Sequence, residues 1–294
     1  MKHTFYAPAK VNLFLKVLSK RPDGYHNIVS LVDLIALYDV VHIEEIDGDV
    51  IIVRDDKGLL SDGEGNTLYR AAKLLKETCS IHKGVRIDVE KMIPIGSGLG
   101  GPSSDAATVL KGLSKIWNLS LTDMELMGIG KRIGDDVPLF LYGKPCIMEG
   151  IGDIITPVDL PVLYYIIVYP GVIVQTKEVY GILRIVLTNK ENDIKLMGNF
   201  KSIDGIVNSL ENDLEQIGIS ICPEIKTIKD KMMEAGASGV LMSGSGSSVF
   251  GIFQNDMDAR RASPFVQNMG SVFITNSAGR GNAYGDYGCE NICC

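Results

Sequence analysis

From Ala9 to Val17 the chain alternates, with Ala9, Val11, Leu13, Leu15 and Val17 on one side and Lys10, Asn12, Phe14 and Lys16 on the other. That two-residue period predicts a strand with one buried face and places Lys10 and Asn12 on the same side of it. "KRPDGYH" at 20–26 follows as a tight turn, because Pro22, Asp23 and Gly24 supply the backbone angles of a reversal. It leaves Tyr25 and His26 at the loop edge. Strand-like runs recur at "DVVHIEEI" and "DVIIVRD", and "NTLYRAAKLLKETC" reads as a helix with Asn66 as N-cap. "GVRIDVEKMI" alternates again and runs into the loop "PIGSGLGGPSSDAA" at 94–107.

Beyond the loop, "SSDAATVLKGLSKIW" is helical by composition, with Pro102 in a first-turn position where its missing N–H costs nothing. "TDMELMGIGKRIG" predicts a second helix ending at Gly134. In "DDVPLFLYG" the proline disfavours helix at the residue before it. "EGIGD" reads as a turn and "PVDLP" at 157–161 as a joint between halves. The second half predicts a strand at "VLYYIIVYPG", helices near 202–216 and 223–235, and two apolar runs around a Gly-Ser turn in "GVLMSGSGSSVFGIF". From Asn276 onward the chain is polar, glycine-rich and without period, which predicts a mobile tail.

Length and charge narrow the function. A chain of 294 residues, 46% of them hydrophobic, can build one large or two modest cores. Its net charge of −7 argues against an electrostatic grip on nucleic acid. "MKHTFYAPAK" lacks the apolar run of a signal peptide, and the most apolar later stretch is broken by Pro170 and Gly171. The expectation is a cytoplasmic protein with no membrane partner. Cys79, Cys146 and Cys222 stand singly, as buried thiols do, and Cys289, Cys293 and Cys294 crowd the end without zinc-site spacing.

The loop at 94–107 holds four glycines and three serines between a strand and a helix. Such a junction presents unpaired N–H groups at the positive end of a helix, and glycine lets a bulky anion approach the backbone, so phosphate is the expected guest. A Walker A loop needs Gly-Lys-Ser or Gly-Lys-Thr, and this loop has Gly-Pro-Ser there. Gly96, Gly98 and Gly101 satisfy G-x-G-x-x-G literally, but the dinucleotide fingerprint belongs after the first strand of a parallel unit. The bare spacing carries little weight, and on it a plain glycine-rich turn stays open.

Six segments, "PAKVNLFLKV", "RPDGYH", "IPIGSGLGGPSSDAA", "GDDVPLF", "EGIGDIITPV" and "MSGSGSSVFGIF", stand in the order of the motifs of one family. The chain resembles the GHMP small-molecule kinases from residue 5 to residue 275. The resemblance implies an α/β protein of the α+β two-layer kind. It comprises an N-terminal, ribosomal-protein-S5-like ATP-binding domain over 1–155 and a C-terminal, ferredoxin-like domain over 156–276, with 277–294 left as the tail. ATP is the implied co-substrate, with Mg²⁺. "PAKVNL" together with "RPDGYH" implies a narrower activity, phosphorylation of the 2-hydroxyl of cytidine diphosphate methylerythritol for isoprenoid precursors.

Carried over residue by residue, Pro94, Ile95, Gly96, Ser97, Gly98, Leu99, Gly100, Gly101, Pro102, Ser103 and Ser104 match the ATP-phosphate segment, and Asn66 and Lys91 match positions beside the nucleotide base. Ser104 is the expected Mg²⁺ contact. Lys10 and Asp136 match the catalytic pair: Asp136 to orient or accept the hydroxyl proton, Lys10 to steady the oxyanion. Asn12, Tyr25, His26, Thr176 and Tyr180 match the substrate wall, with Tyr25 and Tyr180 sandwiching the cytosine ring and His26 reading its edge. Pro102 and Asp135 depart from the family pattern, which has a further glycine and a small residue there. Two rivals remain. A homoserine, mevalonate or sugar kinase would keep the loop, but "RPDGYH" speaks against it; a non-catalytic ATP-binding relative is opposed by the presence of both Lys10 and Asp136.

Overall fold

The structure is a computed structural model of the chain and describes residues 1–183 and 200–279. Cys289, Cys293, Cys294 and the tail from 280 lie outside the described residues, as do positions 184–199 of the expected second domain.

The alternating start becomes a 19-residue strand, β1 (Lys2–Lys20). It pairs antiparallel with β2 (His26–Ile46) across the "RPDGY" turn, where Gly24 takes φ of 89°. β2 is far longer than the eight residues expected, because "HNIVSLVDLIAL" is apolar on both faces and shows no clean alternation. β2 also pairs with β4 (Gly84–Glu90) and with β5 (Cys146–Gly150). β3 (Ile51–Asp55) runs parallel to β4, and β6 (Ile154–Pro157) closes the other flank on β5. "EGIGD" is the turn between β5 and β6, with Gly150 and Gly152 at positive φ. β6 runs past the expected boundary at 155.

Four helices cover this sheet: α1 (Thr67–Cys79), α2 (Gly101–Ile116), α3 (Asp123–Lys131) and α4 (Val137–Tyr142). Asn66 caps α1 by accepting from Leu68 N, and Thr122 with Glu125 forms a reciprocal capping box on α3. Their apolar faces meet Phe5, Ala7, Val32, Leu34, Val41 and Ile43 in one core. Each fully buried aliphatic side chain there contributes roughly 1.5–3 kcal/mol.

The second half forms a four-stranded antiparallel sheet, β11 (Ser271–Asn276), β7 (Tyr164–Tyr169), β10 (Val249–Phe253) and β9 (Gly239–Met242) in that order. One face packs α7 (Glu215–Ile221), α8 (Glu224–Glu234) and α9 (Asp256–Ala262). The other face sets Tyr165, Ile167, Leu241, Phe250 and Ile252 against Ala9, Val11 and Leu13 of β1, with Ile206 of α6 (Ile203–Val207) in the same cluster. The halves are not cleanly separate. β8 (Glu211–Asn212), from the second half, adds to β1 in parallel at Phe14 and Leu15.

Two residues expected in the tail are bound. Ser277 bridges to Ile35, donates its hydroxyl to Asp33 Oδ2 at 2.6 Å and its N–H to Leu163 O, while Ala278 N donates to Leu34 O at 2.7 Å. Asp33 also accepts the Tyr165 hydroxyl at 2.8 Å, so the two residues that follow β11 help tie the two sheets together.

Candidate active site

Two glycine loops meet at the seam between the sheets. The first, after β4, needs left-handed backbone at Gly96, Gly98 and Gly100, with φ of 66°, 78° and 78°. At Gly98 a Cβ would stand 2.2 Å from the Ser243 carbonyl oxygen, so the close approach itself excludes a side chain. Ser243 Oγ donates to Gly98 O at 3.1 Å and Ser248 N donates to Ser97 O at 3.1 Å. The "SGSGSS" turn between β9 and β10 thus packs against the phosphate-type loop. Gly100 caps α2 and Pro102 lies in its first turn, where no hydrogen bond is lost.

Lys10 projects from β1 beneath this loop. It is 5% exposed, and its ammonium donates to Asn12 Oδ1 at 2.5 Å and to Gly98 O at 2.8 Å. Burial pulls its pKa below the ordinary lysine value, and the negative charge of Asp136 works against that. Asp136 is the residue before α4, and it lines the same cleft. Its neighbour Asp135 has its pKa raised by burial and then by the charges of Asp136 and Asp153, against which Lys131 works.

The cleft measures about 280 Å³ and is lined by Lys10, Asn12, Asp136, Thr176 and Tyr180 together with both glycine loops. Thr176 opens α5 (Thr176–Ile182) and shares a hydrogen bond of 3.0 Å with Ser245 Oγ. Tyr180, one turn on, carries His26 stacked on its ring at 5.0 Å and 28°. Burial, and then the nearby Lys20 charge, lowers the His26 pKa, which leaves a neutral imidazole at pH 7. The expected Tyr25–Tyr180 sandwich is not present in this conformation. His26 takes the face of Tyr180, Tyr25 is half exposed at the turn, and of the three only Tyr180 lines the cleft itself.

Other expected contacts fall elsewhere. Lys91 is 2% exposed, and its ammonium lies 2.5 Å from Asp39 Oδ2 and 2.6 Å from Asp105 Oδ2. It is closed in an ion cluster beneath the loop and is not among the residues lining the cleft. Asn66 is likewise engaged, accepting from Leu68 N and donating to Ser61 O. Ser104, in the first turn of α2, is fully buried with a hydroxyl that has no hydrogen-bond partner among the described residues. A bound cation or phosphate oxygen would satisfy that orphaned group, so this hydroxyl fits as one oxygen ligand of Mg²⁺.

Sequence reasoning singled out the "MSGSGSSVF" motif, expected to pack against the nucleotide site, without naming Ser243 or Ser245 in it, and it missed Ser30, Asn212, Asp39 and Asp105. Asp39 and Asp105 stand 52 and 14 residues from Lys91, too far for any local pattern to pair them. Asn212 braces the second loop, donating to Met242 O and Gly244 O at 2.8 Å each. The sequence puts it inside the helix expected near 202–216, whereas the chain there is the two-residue strand β8.

Comparison with known proteins follows the same lines. Residues 66–144 match the GHMP kinases N terminal domain and 190–272 the GHMP kinases C terminal. The 4-diphosphocytidyl-2-C-methyl-D-erythritol kinase of Citrifermentans bemidjiense is 42% identical over 87% of this chain and 91% of its own length. That of Caldicellulosiruptor bescii is 43% identical over 87% and 91%. A crystal structure of 4-(cytidine 5'-diphospho)-2C-methyl-D-erythritol kinase superposes with a TM-score of 0.77 at 33% identity, covering 95% of this chain and all of that one. A homoserine kinase from Cytophaga hutchinsonii, at 22% identity and a TM-score of 0.71 over 94% of each chain, shares the fold.

Proposed function

Because the chain belongs to the 4-diphosphocytidyl-2-C-methyl-D-erythritol kinases of the GHMP family, we propose that its cleft transfers the γ-phosphoryl group of ATP to the 2-hydroxyl of that cytidine diphosphate alcohol. It is a small-molecule kinase, and the product would serve isoprenoid precursor synthesis in the cytoplasm. What supports the reading most is the convergence of Lys10, Asp136 and the Gly96–Gly101 loop on one cleft.

Phosphoryl transfer asks the protein for positioning and charge neutralisation more than covalent chemistry. The amides of the loop and the N-terminus of α2 would receive the phosphates. Mg²⁺, held by Ser104, would shield the phosphate oxygens. Asp136 orients the hydroxyl and takes its proton as the O–P bond forms and the bond to the leaving diphosphate breaks. Lys10 steadies the negative charge on the attacking oxygen. Asn12 and Thr176 border the alcohol.

The base meets the His26–Tyr180 pair at the end of the cleft. Stacking on an aromatic face is worth roughly 1–3 kcal/mol per base but accepts any base. Selection needs the ring edge, and a neutral imidazole can turn its unprotonated nitrogen to accept a hydrogen bond from the N4 amino group of cytosine. Uracil presents a carbonyl oxygen where cytosine has its amino group. The test is a coupled assay of phosphoryl transfer to the cytidine substrate, its uridine analogue, homoserine and mevalonate. The cytidine form is expected to be turned over, the uridine form markedly less well, and the amino acid and mevalonate not at all. Equal kcat/KM for the two nucleotides would remove base reading, and turnover of homoserine or mevalonate alone would assign the cleft to another branch of the family.

A further inference from the structure

The Lys10 ammonium depends on which way round the Asn12 amide stands. Both residues are 5% exposed, so neither can turn to water for a missing partner. With Oδ1 toward Lys10 the amide accepts the ammonium's hydrogen bond at 2.5 Å. Turned over, it would set an NH₂ group against an NH₃⁺ group, two donors face to face in a desolvated place.

A third side chain decides the orientation. Ser30 of β2 is fully buried, and its hydroxyl donates to the Phe14 carbonyl at 2.7 Å, where the β1–β2 ladder shifts register. A carbonyl oxygen can only accept, so the one hydroxyl proton is committed to it. Oγ then has only lone pairs left to offer Asn12, and it accepts Asn12 Nδ2 at 2.8 Å. The order of donors is therefore set from one end: Phe14 carbonyl, Ser30 hydroxyl, Asn12 amide, Lys10 ammonium. The Asn12 N–H is separately pinned by Ser243 Oγ at 3.4 Å, which holds the backbone but leaves the amide flip undecided.

We propose that Ser30 is a positioning residue for phosphoryl transfer, acting through Asn12 to hold the Lys10 ammonium toward the attacking oxygen. The inference rests on the catalytic reading of Lys10 given above. Ser30 borders the cleft, but its side chain is fully buried and its hydroxyl is spent on the Phe14 carbonyl and the Asn12 amide, so it serves the reaction by fixing that amide. Asp136, the residue before α4, bears on Lys10 through its charge, while the Asn12 amide oxygen and the Gly98 carbonyl meet the ammonium as neutral dipoles. Removing Ser30 thus weakens one of the acceptors that keep a desolvated ammonium protonated.

Kinetics of Ser30→Ala, Ser30→Thr and Ser30→Cys, alone and in an Asn12→Ala background, test this. Ser30→Ala is expected to lower kcat about tenfold, since small misplacements of a reacting group cost that much or more, with KM for ATP unchanged. The alkaline limb of its kcat profile should move to lower pH, because Lys10 then loses its proton more easily. Ser30→Thr keeps the hydroxyl and should restore the wild-type rate, whereas Ser30→Cys keeps the volume but is a poor donor and should not. With Asn12→Ala there is no amide left to orient, so adding Ser30→Ala should change nothing further. Wild-type kcat in both Ser30→Ala and Ser30→Cys, or an undiminished Ser30→Ala loss on the Asn12→Ala background, overturns the proposal. Lys10→Ala distinguishes the two levels: wild-type turnover there overturns the catalytic reading, while an inactive Lys10→Ala beside an unaffected Ser30→Ala overturns only the role of Ser30.

Discussion

Lys91 and Lys10 are both buried lysines, 2% and 5% exposed, and both approach the same glycine loop, Lys10 at Gly98 and Gly100 and Lys91 at Gly101. Lys91 has a carboxylate on either side, Asp39 and Asp105, at hydrogen-bond distance. Lys10 is held by an amide and a carbonyl, and Asp136 acts on it through its charge across a cleft. Burial works to lower the Lys91 pKa, but Asp105 and Asp39 more than offset it and the pKa rises; for Lys10 burial wins and it falls. An ammonium already neutralised at contact distance has little attraction left for new charge. One held by neutral dipoles beside open space still does, and an oxyanion forming in that space is what it would stabilise. The first lysine builds the loop and the second uses it.

Substitutions in the cleft should have the largest kinetic effect. Asp136→Asn and Lys10→Ala are each expected to lower kcat by about two orders of magnitude or more, with KM for ATP little changed, as steady-state kinetics will record. The comparison breaks if either variant turns over at the wild-type rate.

Next in size is the ion cluster, where the cost should fall on stability. Lys91→Met leaves two buried carboxylates facing each other and is expected to lose about 3–5 kcal/mol in urea unfolding. Asp39 also accepts Met92 N at 2.6 Å and Ile93 N at 2.8 Å, so the entry to the loop loosens with it.

The cluster has a pH signature. Burial raises the Asp105 carboxyl from its ordinary value to about 7, with Lys91 pulling it down and Asp39 pushing it up. A carboxyl whose folded pKa exceeds its unfolded one binds the proton more tightly when folded, so its contribution to stability is present at low pH and fades as pH rises toward 7. Asp105→Asn should remove that slope, making the unfolding free energy flatter between pH 4 and 7 than in the wild type. An unchanged slope would mean the proton resides elsewhere.

The smallest effect is expected at the cleft's end. Replacing His26 with Ala should narrow the preference for cytidine over uridine substrate by about tenfold, the worth of a lost hydrogen bond, while Tyr180→Ala should raise KM for both alike.

How much of this was legible follows from range. β1 was, because Ala9–Val17 alternates strictly, and so was the shared face of Lys10 and Asn12 that sets up the site. The loop after β4 and the first-turn Pro102 were readable from glycine and proline chemistry alone. β5 and β6 were passed over because they are five and four residues long and the "EGIGD" turn between them dominates the local signal. The pairing of Lys10 with Asp136 needed the family resemblance, since 126 residues separate them and each alone is an ordinary strand lysine or turn aspartate. Lys91 misled for the opposite reason. Its motif pointed to nucleotide, and the two carboxylates that enclose it come from β2 and α2, which only the folded chain brings together.

The most direct test of the contrast is single-turnover phosphoryl transfer by Lys10→Ala and Lys91→Met, measured beside their Tm values at a temperature where both are folded. The account predicts that Lys10→Ala loses about a hundredfold or more in the transfer step while Tm stays within about 4 °C of the wild type. Lys91→Met should show the reverse, a Tm lowered by roughly 6–20 °C and a transfer rate per folded molecule within about tenfold of the wild type. A Lys91→Met enzyme with unchanged Tm and a hundredfold slower transfer, beside a Lys10→Ala enzyme that transfers normally, would contradict it.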